Sequence, residues 1–243
     1  MTKVCILDTE TTGLGNQDQV VELALVTIDA TTRTIISYGT HLVKPTVPIS
    51  PGARAVHHIT DAELEGAPTL AELMHSRELP ELSGGTVLAG HNIAFDNRML
   101  EQSGVVIALL NICTLRAARH IWPEMESHSN QALRYALDLK IDPSWPLTML
   151  PPHRALPDAL VTAALLIRML EMRSVDELIG LTVSPILQSR VRFGTHRGKS
   201  WADMDAGFLS WVLDPKRDFD ADVKHTAAHW LGMRRNGGSA VNL

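Results

Sequence analysis

The sequence predicts an α/β layer fold: a mixed five-stranded sheet with helices on both faces, followed by a small C-terminal domain. Three observations predict it. The run Val4-Cys5-Ile6-Leu7 has the unbroken hydrophobicity of a strand covered on both sides. Two more strand-like runs, Val20–Ile28 and Arg33–Val43, follow with only Asp29–Thr32 between them, so they should pair antiparallel. Beyond them helical and strand patterns alternate, as in a layered α/β domain.

The elements follow in order. Lys44–Pro51 holds three prolines and reads as an irregular connection. Thr60-Asp61-Ala62-Glu63 has a capping-box pattern and predicts a short helix, with a second helix over Thr69–Leu79. Ser83-Gly84-Gly85 breaks the chain before a strand at Thr86–Gly90, and a helix follows from about Ala94. Val105–Ile112 predicts the fifth strand; Thr114–Ile121 and Asn130–Leu139 predict helices. Asp142–Pro152, with four prolines, reads as a long loop of the kind that is functional or mobile. Leu156–Met172 predicts a helix, and Ser174 caps a short one over Ser174–Leu181.

The 243 residues suit one good-sized domain with a small appendage, and 45% apolar with 20% charged residues is globular composition. No apolar run is long enough to span a membrane, and Met1-Thr2-Lys3 leads directly into the first strand without a signal-peptide pattern. The expectation is a cytoplasmic protein without a membrane role. Cys5 and Cys113 sit in apolar stretches and read as buried thiols. Net charge is −5, unevenly spread. Residues 1–185 hold 13 Lys and Arg against 21 Asp and Glu, and residues 186–243 hold 9 against 6. An acidic body (1–185) and a basic tail (186–243) predict two domains with separate jobs.

The chemistry gathers at predicted strand-to-helix edges, where α/β folds build their sites. Asp8 and Glu10 end the first strand, and strand alternation points both to one side with Thr9 opposite. Side by side they repel each other, and a divalent cation relieves that cost. Taken alone, the pair reads more readily as two solvated loop carboxylates, and only further carboxylates elsewhere in the chain reverse that reading. Asp96 follows His91-Asn92 in the first turn of a helix, where the dipole favours a negative charge; that is also its structural alternative. Asp158 opens another helix behind Pro157. His153 lies five residues earlier, a spacing that does not share a helix face, so it belongs to the preceding loop, as a base or as a solvated side chain. Four carboxylates and a histidine suit phosphoryl displacement, with two divalent ions clamping the attacking and leaving oxygens and the histidine taking a proton from water.

Together, Asp8-Thr9-Glu10-Thr11-Thr12-Gly13-Leu14, His91-Asn92-x-x-Phe95-Asp96 and His153-x-Ala155-x-x-Asp158 resemble the three motifs of the DEDDh 3′–5′ exonuclease family, over roughly the first 175 residues. Ile49-Ser50-Pro51 with His57-x-Ile59-Thr60 resembles the segment that follows that family's third strand. The tail stretches Phe193-Gly194-x-His196-Arg197-Gly198-Lys199 and Gly207-Phe208-Leu209-x-Trp211 are similar to those of its exodeoxyribonuclease branch. Pro157, directly before Asp158, departs from the family pattern and leaves the start of that helix open.

The resemblance implies a ribonuclease-H-like fold and two Mg²⁺ ions, with Mn²⁺ as the alternative. It implies that Asp8 bridges both ions, that Glu10 and Asp158 complete one site, that Asp96 holds the other, and that His153 is the general base. Thr11, Thr12 and Leu14 would hold the 3′-terminal nucleotide, and Asn92 and Phe95 would line its pocket. His57, His91 and Phe95 are equally readable as packing or turn residues. The implied partner is single-stranded or 3′-ended DNA, with nucleoside 5′-monophosphates as product. RNA 3′ ends, or a proofreading or scaffold role beside a polymerase or repair partner, are the other readings. In the tail, Trp201, Trp211 and Trp230 read either as a stacking platform among cations or as the core of a small domain. The oligomeric state is not readable from the sequence.

Overall fold

The computed structural model describes residues 2–76, 79, 86–107, 110–141 and 151–235. Residues 142–150 of the loop predicted over Asp142–Pro152, and the Ser83-Gly84-Gly85 break, lie outside them. Strands β1 (Lys3–Thr11), β2 (Val20–Asp29), β3 (Thr34–Leu42), β4 (Val87–Gly90) and β5 (Asn111–Cys113) form one sheet in the order β3-β2-β1-β4-β5. The β1–β2 and β2–β3 pairs are antiparallel, and β1–β4 and β4–β5 are parallel. This is the mixed sheet the sequence predicts. β2 is buried along its whole length, because both faces are covered.

The described α-helices are α1 (Pro51–His57), α2 (Leu70–His75), α3 (Ile93–Gln102), α4 (Thr114–Ile121), α5 (Asn130–Ala136), α6 (Ala155–Leu170), α7 (Val175–Val183), α8 (Ala206–Val212) and α9 (Ala221–Arg235), with short 3-10 helices at Gly194–His196 and Trp201–Asp203. α6 packs across β1, β2 and β3, whereas α3 packs on β1, β4 and β5. The α3 face is a core of Cys5, Leu7, Leu23 and Leu88 with Ile93, Met99 and Leu100 of the helix. Cys5 and Cys113 are free and buried. No helix among the described residues is long and apolar enough to cross a membrane.

The irregular connection predicted over Lys44–Pro51 is found through Ser50, and α1 follows it where no element was predicted: Ser50 caps it, accepting from Ala53 N–H at 3.2 Å, and Pro51 occupies a first-turn position that needs no N–H. Two local expectations change. The capping box at Thr60 forms, with Thr60 N–H to Glu63 Oε2 at 2.7 Å and Glu63 N–H to Thr60 Oγ1 at 3.3 Å, yet closes only turns. Gly66, at φ 84°, ends them before a helix can propagate. The fifth strand is Asn111–Cys113, not Val105–Ile112. β4 is short and offers partners only at Leu88–Gly90, so the apolar stretch before Asn111 serves packing: Val105 and Ile107 lie against the core while Val106 is exposed.

The chain divides into two compact units. One comprises Met1–Ala117 with Ser127–Thr182, and contains the sheet; the other comprises Ala118–Glu126 with Val183–Leu243. The second has its own core of Val191, Trp201, Met204, Leu209, Val212, Val223, Ala227 and Leu231. Its entry segment is tied to α9 by Ile186 N–H to Asp222 Oδ1 at 2.9 Å and Gln188 N–H to Thr226 Oγ1 at 3.0 Å.

Candidate active site

β1 outruns its parallel neighbour. Its pairing with β4 covers only Val4–Ile6, while its pairing with β2 continues through Asp8↔Ala24 and Glu10↔Glu22. Beyond Ile6, one side of β1 is therefore open to the start of α3. Gly90 makes that turn possible, since a Cβ there would lie 3.1 Å from the Leu7 carbonyl oxygen and 2.7 Å from Ile93 Cδ1.

Asp8, Glu10 and Asp158 each place one carboxylate oxygen so that all three lie within 4.8 Å of one another. Asp158 comes from α6, on the sheet face to which Asp8 and Glu10 point. Asp96 comes from α3, on the face to which Thr9 points. It is 4% exposed, and its Oδ1 accepts from Thr9 N–H at 3.1 Å and Thr9 Oγ1–H at 2.8 Å. The strand alternation that aims Asp8 and Glu10 at one face thus gives Asp96 an anchor on the other.

The electrostatics follow from burial and crowding. Burial, then the charges of Asp96, Asp158, Glu10 and Glu22, push the Asp8 carboxyl well above the usual carboxylate range. Burial, with Asp158 and Glu22, pushes Glu10 up to about 8, against a lowering pull from Arg154. Asp96 is pushed up to about 7 by burial, although the bonds from Thr9 favour its charged form. Without a cation these groups resist ionising together. An all-oxygen donor set under that repulsion fits a hard divalent cation.

Asp158 is held at both oxygens. Gln131 Nε2 donates to Oδ1 at 2.7 Å, and the His153 backbone N–H donates to Oδ2 at 2.9 Å. His153 is exposed, sits at φ 64°, and its ring makes no hydrogen bond to any described residue. Left-handed backbone is strained for a residue with a Cβ. The bond to Asp158 therefore holds the His153 backbone in place while the imidazole stays available.

Next to His153, Arg154 turns inward onto β2. Its Nε and Nη2 donate to Glu22 Oε2 and Oε1 at 3.0 and 2.8 Å, and the Ala155 N–H adds a bond to Oε2 at 3.0 Å. Glu22 is 2% exposed and stands opposite Glu10 in the β1–β2 register. The pair fixes where α6 begins.

The turn after β1 is built from within. Thr12 Oγ1 donates to Asp18 Oδ1 at 2.7 Å and Thr11 Oγ1 to the Gly13 carbonyl at 2.8 Å. His57 Nδ1 accepts from Ile59 N–H at 2.9 Å, so Nε2 carries the proton and donates to the Thr11 carbonyl, 3.2 Å away. Burial lowers the pKa of His57, consistent with a neutral ring. Leu14, 76% exposed, projects from the same turn. Arg98 Nη1 reaches the Leu14 carbonyl at 3.5 Å, and its guanidinium lies 5.4 Å from the Phe95 ring centroid. Phe95 is half-buried, and Asn92 is exposed at φ 78°.

The exonuclease (RNase T-type) family profile matches residues 5–166, which spans the sheet, both flanking helices and every carboxylate described above. The chain belongs to this exonuclease family, the DEDDh family its motifs resemble. Exodeoxyribonuclease 10 of Escherichia coli (strain K12) is 34% identical over 236 residues, covering 93% of this chain and 97% of that protein. A DNA polymerase III subunit epsilon-like protein of Rhodobacter capsulatus is 31% identical over 209 residues, covering 83% of this chain and 27% of that protein. A solved structure of exonuclease X in complex with 5′-overhanging duplex DNA matches with a TM-score of 0.61 at 34% identity, covering 74% of this chain and 99% of that one. Cell-death related nuclease 4, at 18% identity and a TM-score of 0.57, shares the fold.

Within this exonuclease, Pro157 causes no difficulty. It is the third residue of α6, and the first helical bond is Asp158 N–H to the Arg154 carbonyl at 3.1 Å. A missing N–H in that position has no intrahelical partner to lose. Thr11, Thr12 and His57 are buried and bonded inside the turn and Leu14 is exposed on it, whereas at the start of α3 Asn92 is exposed and Phe95 half-buried. His91 is bonded at both ring nitrogens, to Thr114 Oγ1 at 3.0 Å and the His128 carbonyl at 2.8 Å. Glu22, Arg154, Gln131, Asp18 and Arg98 went unremarked in the sequence. Only Glu22 carried a signal there, as a lone charge in the middle of an apolar strand.

Proposed function

We propose that the chain is a metal-dependent 3′–5′ exonuclease that hydrolyses the terminal phosphodiester of DNA 3′ ends and releases nucleoside 5′-monophosphates. Mg²⁺ is the ion, in two copies, with Mn²⁺ able to replace it. The observation that carries this reading is the convergence of Asp8, Glu10 and Asp158 within 4.8 Å, where burial and crowding raise the proton affinity of Asp8 and Glu10. The 34%-identical relatives, an exodeoxyribonuclease and an exonuclease X in complex with duplex DNA, support DNA as the substrate.

Asp8, Glu10 and Asp158 would hold one ion, and Asp8 and Asp96 would hold the second. The chemistry such ions supply is Lewis-acid polarisation of the phosphoryl oxygens and neutralisation of the charge that builds in the transition state. His153 takes the proton of the attacking water on a ring nitrogen and passes it to solvent, to which its side chain is open. Leu14 and Phe95 pack against the terminal base, and Asn92 sits beside them. Thr11, Thr12 and His57 shape the turn beneath that nucleotide. Residues 186–243 form a separate small domain. Two buried free thiols fit a reducing compartment, so we place the protein in the cytoplasm.

The test uses single strands of DNA and RNA labelled at the 3′ or the 5′ end, incubated with Mg²⁺. The reading predicts mononucleotides from the 3′ end of DNA and a slower reaction on RNA. Internal cuts, release from the 5′ end, or RNA as the faster substrate would contradict it.

A further inference from the structure

We propose that the C-terminal unit carries its own binding surface for single-stranded DNA. The proposal rests on the exonuclease reading for the identity of the strand, and on the following geometry for the surface.

A hairpin spans residues 189–201. Val191 N–H bonds the Lys199 carbonyl at 2.9 Å, Gly198 N–H the Val191 carbonyl at 2.8 Å, and Trp201 N–H the Ser189 carbonyl at 3.1 Å. Arg190, Arg192, Arg197 and Lys199 are all exposed on it, and no acidic residue occurs between 189 and 202. Two of the four are held in place by carbonyls: Arg190 Nη1 donates to Gly198 O at 2.8 Å and Arg197 Nε to Arg192 O at 3.1 Å. None of the four forms an ion pair among the described residues. Arg190 and Arg197 are thus fixed, and the charge of all four is left for an outside anion, in a chain whose net charge is −5.

An aromatic strip leads away from the hairpin. His196 lies 4.6 Å from the Phe208 ring centroid, and Phe208 stacks with Trp211 at 5.8 Å and 24°. Arg217 covers part of Trp211 at 4.7 Å. Trp201 is fully buried and belongs to the core of the unit, so that alternative for the tryptophans holds at Trp201. Trp211 is different: it is 40% exposed beside that core. A large indole left partly in water, with one guanidinium against it and the exposed cations of the hairpin in the same unit, has the chemistry of a stacking platform, with cations for the phosphates and a π-face for a base. Nothing in this strip reads a base edge, so the surface accepts a strand of any sequence.

The test measures binding across a salt series in an Asp8→Asn background, so that the strand is not consumed. The probes are a long oligothymidylate and an abasic strand of equal length. Arg192→Ala with Lys199→Ala removes two cations and leaves the two that tie the hairpin. It should flatten the slope of log K against log salt by about 1.4, at roughly 0.7 per phosphate. Trp211→Ala should weaken oligothymidylate binding about fivefold or more and leave abasic binding unchanged. Trp211→Phe should restore most of the loss. In the otherwise wild-type chain, the same variants should hydrolyse trithymidylate at the normal rate. An unchanged salt slope, or an equal loss on thymidylate and abasic strands, overturns the proposal. Trithymidylate hydrolysis by the unsubstituted chain tests the exonuclease reading separately: its absence would sink that reading without altering what the binding slopes report.

Discussion

Arg154 and Glu22 meet across 132 residues of sequence through two parallel hydrogen bonds, 3.0 and 2.8 Å long. The carboxylate side chain is 3% exposed and the guanidinium side chain 34%. Arg154 thereby compensates a fifth carboxylate beside a site that already holds four. Arg154→Ala strands that buried charge and should cost about 2–4 kcal/mol, somewhat below a fully buried pair because the arginine is partly solvated. Replacing both partners by leucine should recover most of the stability, yet not the rate, because α6 and the loop carrying His153 lose their anchor. Urea denaturation and kcat check the two halves. Full activity in the double variant would show that the pair has no positioning role.

His153 is predicted to act on the proton of water and not on substrate binding. His153→Ala should lower kcat by about 10²–10⁴-fold with a smaller change in KM. The acid-side fall of kcat in the wild-type pH profile should vanish in the variant. If both rate and profile survive, the base is another group.

Much of this was legible in the sequence, for identifiable reasons. β1 and β2 are apolar runs buried on both faces, and such runs read clearly. Asp8, Glu10, Asp96 and Asp158 stand at element ends, where polar residues break the pattern. What stayed hidden depends on pairing across long separations. Glu22 acquires meaning only from the register that sets it opposite Glu10, and from an arginine that motif reading treats as a spacer. Gln131 sits in a helix start that reads as ordinary capping, and only the fold brings it to Asp158. His57 was readable as packing or as substrate contact; its two ring bonds put it in the turn, through the Thr11 carbonyl. The apolar stretch from Val105 misled because a short parallel edge strand needs a partner, and β4 offers three residues.

The raised carboxylates predict an unusual pH dependence of stability without metal. Glu10 rises from 4.5 to about 8 and Asp96 from 3.8 to about 7 on folding. The folded state therefore binds protons more tightly than the unfolded one. Their stabilising protonation is complete below the unfolded values and is lost as pH climbs through the folded ones. In EDTA, stability should fall by several kcal/mol, roughly 3–5, between about pH 5 and 8. Mg²⁺ should offset most of that fall at pH 8. Urea midpoints at the two pH values, with EDTA and with Mg²⁺, provide the check; a flat profile in EDTA would mean that the cluster ionises freely.

Hydrolysis depends on cations held by the carboxylate cluster, and at Asp8 burial and four neighbouring carboxylates all favour the protonated form when no cation is there. The most direct measurement is release of the 3′-terminal nucleotide from labelled single-stranded DNA by wild type and Asp8→Asn, each with Mg²⁺ and with EDTA, alongside thermal melting in EDTA. We predict release by the wild type with Mg²⁺ only, none by Asp8→Asn under either condition, and a melting temperature for metal-free Asp8→Asn at or above that of the wild type, because the substitution relieves carboxylate repulsion. Substantial Mg²⁺-dependent release by a folded Asp8→Asn would contradict the account.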